Sequence, residues 1–391
     1  MRLDKSTIVG VIGAGTMGTG IAQIASTHGH TAILYDISSE QLNQSKKALS
    51  KILKRQVEKN RMTQNEIDGI LERIKFTSEL SDCADCGFII EAVVEDLSVK
   101  KELFQKLENL VSDDCILSSN TSSLSIASIS SAFESPERFL GVHFFNPAPL
   151  MKLVEIIPGI STATNVSQAT KELINSWQKV TVIAKDTPGF IVNRVARPFY
   201  GEALRIYEEG IADAATIDWA MKELGGFKMG PFELMDLIGH DINYKVTESV
   251  FKDFYYDPRF KPSFAQKRMV EAGRLGKKTG IGFYDYREGA KNPEPITDRM
   301  LGDKIFNRIL AMLINEAADA VFMNIATAKE VDLAMVYGVN YPKGLLEWAD
   351  EIGLSFILDA MSALQIEYRE DRYRPNPLLK KKVRNGEIFH G

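Results

Sequence analysis

The sequence predicts a mostly parallel α/β domain followed by two tandem all-α domains. Three observations lead there. Apolar strand-like runs alternate with amphipathic helical runs through the first half. A glycine-rich loop follows the first of those strands. The helical second half then repeats itself at a fixed spacing.

Candidate strands are Thr7–Ile12, Thr31–Tyr35, Gly87–Val93, Cys115–Ser118, Phe139–Phe145, Leu153–Ile157 and Lys179–Ile183. Helical runs fit between most of them, the longest from about Ser39 to Lys59. At Asp186-Thr187-Pro188-Gly189-Phe190 the pattern turns helical and strand signals almost vanish. The polar, proline-containing stretch Arg287–Thr297 reads as a linker. The expected domains are therefore residues 1–186, 187–291 and 297–391.

The repeat rests on one offset. Shifting the chain by 114 positions superimposes Asn193-Arg194 on Asn307-Arg308, Glu202-Ala203 on Glu316-Ala317, and Asp218 on Asp332. The same shift sets Ala220-Met221 on Ala334-Met335 and Gly230 on Gly344. Glu233, Asp236, Ile238 and Gly239 land on Glu347, Asp350, Ile352 and Gly353.

Gly13-Ala14-Gly15-Thr16-Met17-Gly18 is a G-x-G-x-x-G loop placed between the strand Thr7–Ile12 and the helical run Thr16–Thr27. That context makes it a dinucleotide-binding signal of Rossmann type. Gly13 permits the sharp turn, Gly15 lets backbone approach a pyrophosphate, and Gly18 lets helix and strand pack closely. The helix N-terminus offers N–H groups and partial positive charge to the phosphates. Asp36 ends the next strand, where an acid binds the ribose hydroxyls. Ile37, Ser38 and Ser39 follow, with no arginine for a 2′-phosphate, which points to NAD over NADP.

Bulk properties bound the function. A formal net charge of −5 gives no sign of a nucleic-acid binder. No stretch approaches the roughly 20 apolar residues of a membrane helix. The strand-like segment begins so soon after Met1 that no signal or transit peptide is expected, and the expectation is a cytoplasmic protein without membrane partners. Cys83 and Cys86 form a C-x-x-C with no second pair at zinc-site spacing, so with Cys115 they read as buried or half-buried thiols, with no metal site.

Oxidising a secondary alcohol requires a base, and histidine suits neutral pH. Of five histidines, His143 lies in the strand that ends at Asn146-Pro147, and Glu155 lies twelve residues on, in the next strand. If the two strands are neighbours, the carboxylate reaches the imidazole, fixes the ring and raises its basicity. Spacing alone leaves open a merely hydrogen-bonded strand histidine. His28 and His30, flanking Gly29, read as turn residues. The helical run from Ser39 carries Lys46, Lys47, Lys51, Lys54, Arg55 and Lys59, with Lys47, Lys51 and Arg55 on one face. Such a stripe is either a solvated face or an attraction for a phosphate-rich ligand. Leu42, Leu49, Ile52 and Leu53 are available for another face.

Five segments, in order, closely resemble the (S)-3-hydroxyacyl-CoA dehydrogenase family over about residues 6–290: Ser119–Leu124, the His143 strand, Lys152–Glu155, Asp186–Arg194 and Gly276–Tyr284. By that resemblance His143 is the catalytic base and Glu155 its partner. Ser122 hydrogen-bonds the substrate's 3-oxygen, and Asn193 helps position the acyl group. Glu95, Lys100, Asn120, Asn146 and Lys278 surround the nicotinamide half of NAD, and Lys59 is the best-aligned CoA contact. All these positions carry the residue type the family leads one to expect.

Residues 297–391 resemble the family's helical domain a second time, as in longer bacterial forms acting on short or dicarboxylic acyl-CoAs. This copy keeps Asn307 but has no His/Glu pair, so Asn307 reads as structural. The resemblance implies an acyl-CoA thioester substrate, and either a monomer with an internal pseudo-dimer or a homodimer. Two alternatives are a dehydrogenase of free hydroxy acids such as sugar acids, and a non-enzymatic NAD-binding protein. A bifunctional enzyme with hydratase activity is disfavoured, since no segment remains to supply that fold.

Overall fold

In the first half, strand-forming runs rich in Val, Ile and Phe are buried on both faces, as a parallel sheet covered by helices requires. The computed structural model describes residues 3–391. Among them, eight strands form one sheet: β1 (Val9–Ile12), β2 (Ala32–Tyr35), β3 (Ile74–Thr77), β4 (Phe88–Glu91), β5 (Ile116–Ser119), β6 (Phe139–Phe144), β7 (Leu153–Pro158) and β8 (Val180–Ile183). Their order is β3-β2-β1-β4-β5-β6-β7-β8, and every neighbouring pair is parallel except β6 and β7. The order reverses direction between β1 and β4, where a doubly wound sheet opens its ligand crevice.

The covering helices are α1 (Thr16–Thr27), α2 (Ser39–Glu58), α3 (Gln64–Glu72), α4 (Leu97–Leu110), α5 (Ile126–Ser130) and α6 (Thr164–Ser176). Local chemistry sets their starts. The Ser38 side chain accepts from Gln41 N to begin α2, Thr63 and Glu66 form a capping box on α3, and Asp96 accepts from Ser98 N and Val99 N at α4. Leu42, Leu49 and Leu53 of α2 are buried against the sheet, whereas Ile52 is 46% exposed and does not join that face. Cys83, Cys86 and Cys115 are free, buried thiols.

Two compact units divide the chain, one through Thr187 and one from Pro188 on. The second is helical: α7 (Val192–Val195), α8 (Arg197–Glu208), α9 (Ala214–Trp219), α10 (Pro231–Ile238), α11 (His240–Asp253), α12 (Phe264–Glu271), α13 (Arg299–Phe322), α14 (Ala328–Val339), α15 (Leu345–Ile352), α16 (Leu354–Tyr368) and α17 (Pro377–Asn385). Within it α10 and α15 begin and end 114 positions apart, as do the starts of α9 and α14 and of α11 and α16. The match extends to capping. Asp218 accepts from Phe232 N and Glu233 N at the start of α10, and Asp332 from Leu346 N and Glu347 N at the start of α15. Glycine is required beside each, because a Cβ at Gly230 would lie 2.3 Å from Asp218 and one at Gly344 2.4 Å from Asp332.

The fold is thus a Rossmann-type sheet domain followed by tandem helical repeats. Sequence patterning missed one strand, β3. It is four residues long at the sheet edge, and only Ile74 and Thr77 of it are buried. No helix among the described residues is long and apolar enough to cross a membrane.

Candidate active site

The glycine loop connects β1 to α1. Gly13 has φ +105°, and a Cβ there would meet Ala92 O at 2.6 Å. A Cβ at Gly18 would fall 1.8 Å from Gly13 O, whereas one at Gly15 would meet nothing within 4 Å. Gly13 and Gly18 are therefore demanded by the fold itself, whereas the space beside Gly15 is open. Asp36, at the end of β2, accepts from Ala14 N at 2.8 Å and from Ser38 N at 2.9 Å. The acid thus braces the loop as well as flanking it, and these residues fit a bound dinucleotide.

β6 and β7 run antiparallel in a register that places His143 directly opposite Glu155. Both are buried, and His143 Nδ1 lies 2.7 Å from Glu155 Oε2. The pairing left conditional by spacing is formed. The Phe145 ring packs 4.5 Å from the imidazole, and Asn120 Oδ1 accepts from Phe144 N at 2.8 Å. Asn146 follows at the strand end and is joined to Pro147 by a cis peptide bond.

Ser122 sits on the turn after β5. Its backbone N–H donates to Glu95 Oε1 at 3.1 Å, and the same carboxylate takes the hydroxyls of Thr121 and Ser123 at 2.5 and 2.9 Å. On the other side Asp186 accepts from Ser125 Oγ, Ile126 N and Ala127 N, so the segment is held from both ends. Partial burial pushes the Glu95 carboxyl up, but the Lys100 ammonium and the Thr121 and Ser123 hydroxyls outweigh it and hold Glu95 below the ordinary carboxylate range. Lys100 is itself buried, with Nζ 2.5 Å from Glu91 Oε1 and 3.2 Å from Glu95 Oε2. Glu91 also accepts from Ser119 Oγ and Val93 N. Its role was not legible beforehand, because an acid ending a buried strand shows its lysine only once the fold is known.

A second residue missed from sequence is Lys179, just before β8. Its Nζ donates to Ala148 O at 2.6 Å and Met151 O at 2.7 Å. It thereby pins the strap between β6 and β7, and burial pushes its pKa down to about 8. The strap residues Pro147–Leu150, with Gln41, Ser45, Ile52 and Arg61, line a groove of about 850 Å³ in the sheet unit. On α2, Lys46, Lys47, Lys51, Lys54 and Arg55 line a separate shallow basic depression of about 600 Å³. Lys59, just past the end of α2, is exposed and lies outside its lining.

Asn193 and Lys278 belong to the helical unit. Asn193 is half-buried in α7. Lys278 Nζ is exposed and paired with Asp241 at 2.5 Å. Asn307 lies within α13.

The sheet order, with its glycine loop and Asp36 at the switch point, is that of a dinucleotide-binding domain, and the His143–Glu155 pair lies buried on two of its neighbouring strands. Residues 8–187 match the model of the 3-hydroxyacyl-CoA dehydrogenase NAD-binding domain. Residues 189–286 and 305–389 match that of the 3-hydroxyacyl-CoA dehydrogenase C-terminal domain. The chain belongs to the 3-hydroxyacyl-CoA dehydrogenase family. It is 37% identical to the 3-hydroxyadipyl-CoA dehydrogenase of Escherichia coli strain K12, with 98% of each chain covered. It is 41% identical to the 3-hydroxybutyryl-CoA dehydrogenase of Bradyrhizobium diazoefficiens, across 72% of this chain and 96% of that one. The crystal structure of a 3-hydroxybutyryl-CoA dehydrogenase from Escherichia coli K12 superimposes with a TM-score of 0.93 at 36% identity, covering 98% of this chain and 99% of that one.

Proposed function

We propose that the protein oxidises (S)-3-hydroxyacyl-CoA to 3-oxoacyl-CoA, and runs the reverse reaction, with His143 as general base. The observation that carries this reading is the buried contact of 2.7 Å between His143 Nδ1 and Glu155. With Nδ1 committed to the carboxylate, Nε2 takes the 3-hydroxyl proton. Glu155 orients the ring and stabilises the imidazolium that forms. NAD, when bound, supplies the hydride acceptor. Ser122 donates to the 3-oxygen, and Asn193 positions the acyl group. Glu95, Lys100, Asn120, Asn146 and Lys278 surround the nicotinamide half of the cofactor, while Gly13, Gly15, Gly18 and Asp36 hold its adenosine half. The CoA lies along the basic face of α2, with Lys59 its best-aligned contact. Positioning and electrostatics supply most of the acceleration.

The same reading divides the chain at residues 1–186, 187–291 and 297–391, assigns a short-chain or dicarboxylic acyl thioester, and places the enzyme in the cytoplasm. It works as a monomer with an internal pseudo-dimer or as a homodimer. Purified protein mixed with acetoacetyl-CoA and NADH should consume the reduced nicotinamide absorbance, and NADPH should serve poorly. His143→Gln should retain NADH affinity and lose most turnover. Turnover near the wild-type rate in that variant would remove the base assignment.

A further inference from the structure

Arg197 opens α8 one helical turn after Asn193, and only 7% of it is exposed. Its Nη1 donates to Thr247 Oγ1 at 3.2 Å, and its Cζ lies 4.9 Å from the centre of the Tyr200 ring. Its Nε has no hydrogen-bond partner among the described residues. The other arginines buried in this unit, Arg194, Arg205 and Arg372, all face carboxylates, as do the partly buried Arg259 and Arg308. Burial holds the Arg197 guanidinium below the usual arginine range, and the nearby Tyr200 and Tyr341 offset this only in part. The Tyr341 hydroxyl is likewise buried and has no hydrogen-bond partner among the described residues.

An uncompensated buried cation is costly to folding and is not retained for stability. The helical repeat supplies an internal control. At positions 114 away from Arg197, Tyr200 and Thr247 stand Ala311, Ile314 and Met361, and 114 before Tyr341 stands Phe227. All four of these counterparts are buried and apolar. The same fold therefore closes at this place with ordinary hydrophobic packing, so the guanidinium and the hydroxyls are no structural necessity.

We propose that Arg197 and the Tyr341 hydroxyl form a receptor for the carboxylate at the far end of a dicarboxylic acyl chain. A guanidinium fork matches a planar carboxylate with two parallel hydrogen bonds. Asn193, four residues before Arg197, and Thr247, its hydrogen-bond partner, are both partly exposed. One helical turn, about 6 Å along the axis for four residues, separates Asn193 from Arg197 and suits a short chain. The inference rests on the reading of Asn193 as an acyl-positioning residue and goes on to name the substrate class.

Two thioesters of equal chain length test it, each reduced with NADH: 3-oxoadipyl-CoA, with a terminal carboxylate, and 3-oxohexanoyl-CoA, without one. Wild-type protein should favour the dicarboxylic thioester in kcat/KM by about 10–100-fold, the factor expected of a charge-assisted hydrogen bond. Arg197→Met should bring that ratio close to one. Tyr341→Phe, a milder change that keeps the ring packing, should narrow it several-fold and decides the matter if Arg197→Met is not recovered folded. A wild-type ratio near one, or an unchanged ratio in the variants, overturns the carboxylate receptor and leaves the dehydrogenase reading standing. Failure to reduce either thioester overturns both.

Discussion

Arg194 Nε donates to Glu316 Oε1 at 2.7 Å, and its counterpart across the repeat, Arg308 Nε, donates to Glu202 Oε1 at the same 2.7 Å. Positions 194 and 308, and 202 and 316, each stand 114 apart, so the two bonds are images of one another about a pseudo-two-fold axis. The surroundings depart from that symmetry. Arg259 reaches Glu316, whereas Arg372, the matching arginine in the second repeat, reaches Glu209, whose counterpart 114 positions on is Met323. The two repeats are thus clasped by reciprocal ion pairs whose acids, Glu202 and Glu316, are buried.

Removing Arg194 takes away one of the two guanidiniums that face the buried Glu316 and leaves Arg259 as partial compensation. Arg194→Ala should therefore lower the unfolding free energy by about 1.5–3 kcal/mol, the span of a hydrogen bond to a charged group, read from urea denaturation with the cofactor absent. A loss under about 1 kcal/mol, the range of an exposed pair, would show that the clasp contributes little.

Gly15 and Gly18 should separate binding from folding. Gly18→Ala forces a Cβ to within 1.8 Å of a backbone oxygen, so that variant should be poorly folded or much less heat-stable. Gly15→Ala meets no protein atom within 4 Å and should fold like the wild type. If the proposed cofactor site is right, its methyl intrudes on the pyrophosphate, and NADH affinity should fall at least tenfold, about 1.4 kcal/mol, by fluorescence titration. Wild-type affinity in Gly15→Ala would move the phosphates elsewhere.

Glu155→Gln preserves shape and removes the charge that faces His143. Its kcat should fall by about 10²–10⁴-fold, the usual span for a general-base function, while the Kd for NADH changes little. Equal damage to both quantities would mark Glu155 as a structural residue of the sheet.

Lys179 gives a pH signature. Burial lowers its pKa to about 8, below the roughly 10.4 of an exposed lysine. Between those values the unfolded chain binds more protons than the folded one, so stability rises with pH in that window. Relative to Lys179→Met, the wild type should gain about 2 kcal/mol of unfolding free energy from pH 8 to pH 10, measured by urea denaturation at each pH. A difference that stays flat with pH would mean the ammonium is not penalised by its setting.

Much of this was readable in advance because it depends on neighbours in the chain. The glycine loop, Asp36 and the alternation of seven strands with helices are local patterns. The His143–Glu155 pair needed one further fact, that the strap of Asn146–Lys152 turns the chain back on itself into an antiparallel neighbour. What escaped notice depends on partners far along the chain. Glu91 shows its place only against Ser119, 28 residues on, and Lys179 only against carbonyls some thirty residues away. The helical repeat was visible while its offset held at 114. It went unread further on, where Arg259-Phe260 matches Arg372-Tyr373 at an offset of 113. Arg197 was hidden for a different reason, since sequence shows an arginine but not the absence of an acid beside it.

The tandem repeat also frees its two halves to diverge. In an assembly of two identical chains, any substitution near the two-fold axis is made on both sides at once, and a buried charge is then incurred twice. Here one half holds Arg197 while the other keeps Ala311 at the matching position. Fusion within one chain therefore lets one repeat specialise chemically while its twin remains an inert packing partner, an asymmetry closed to a strict homodimer.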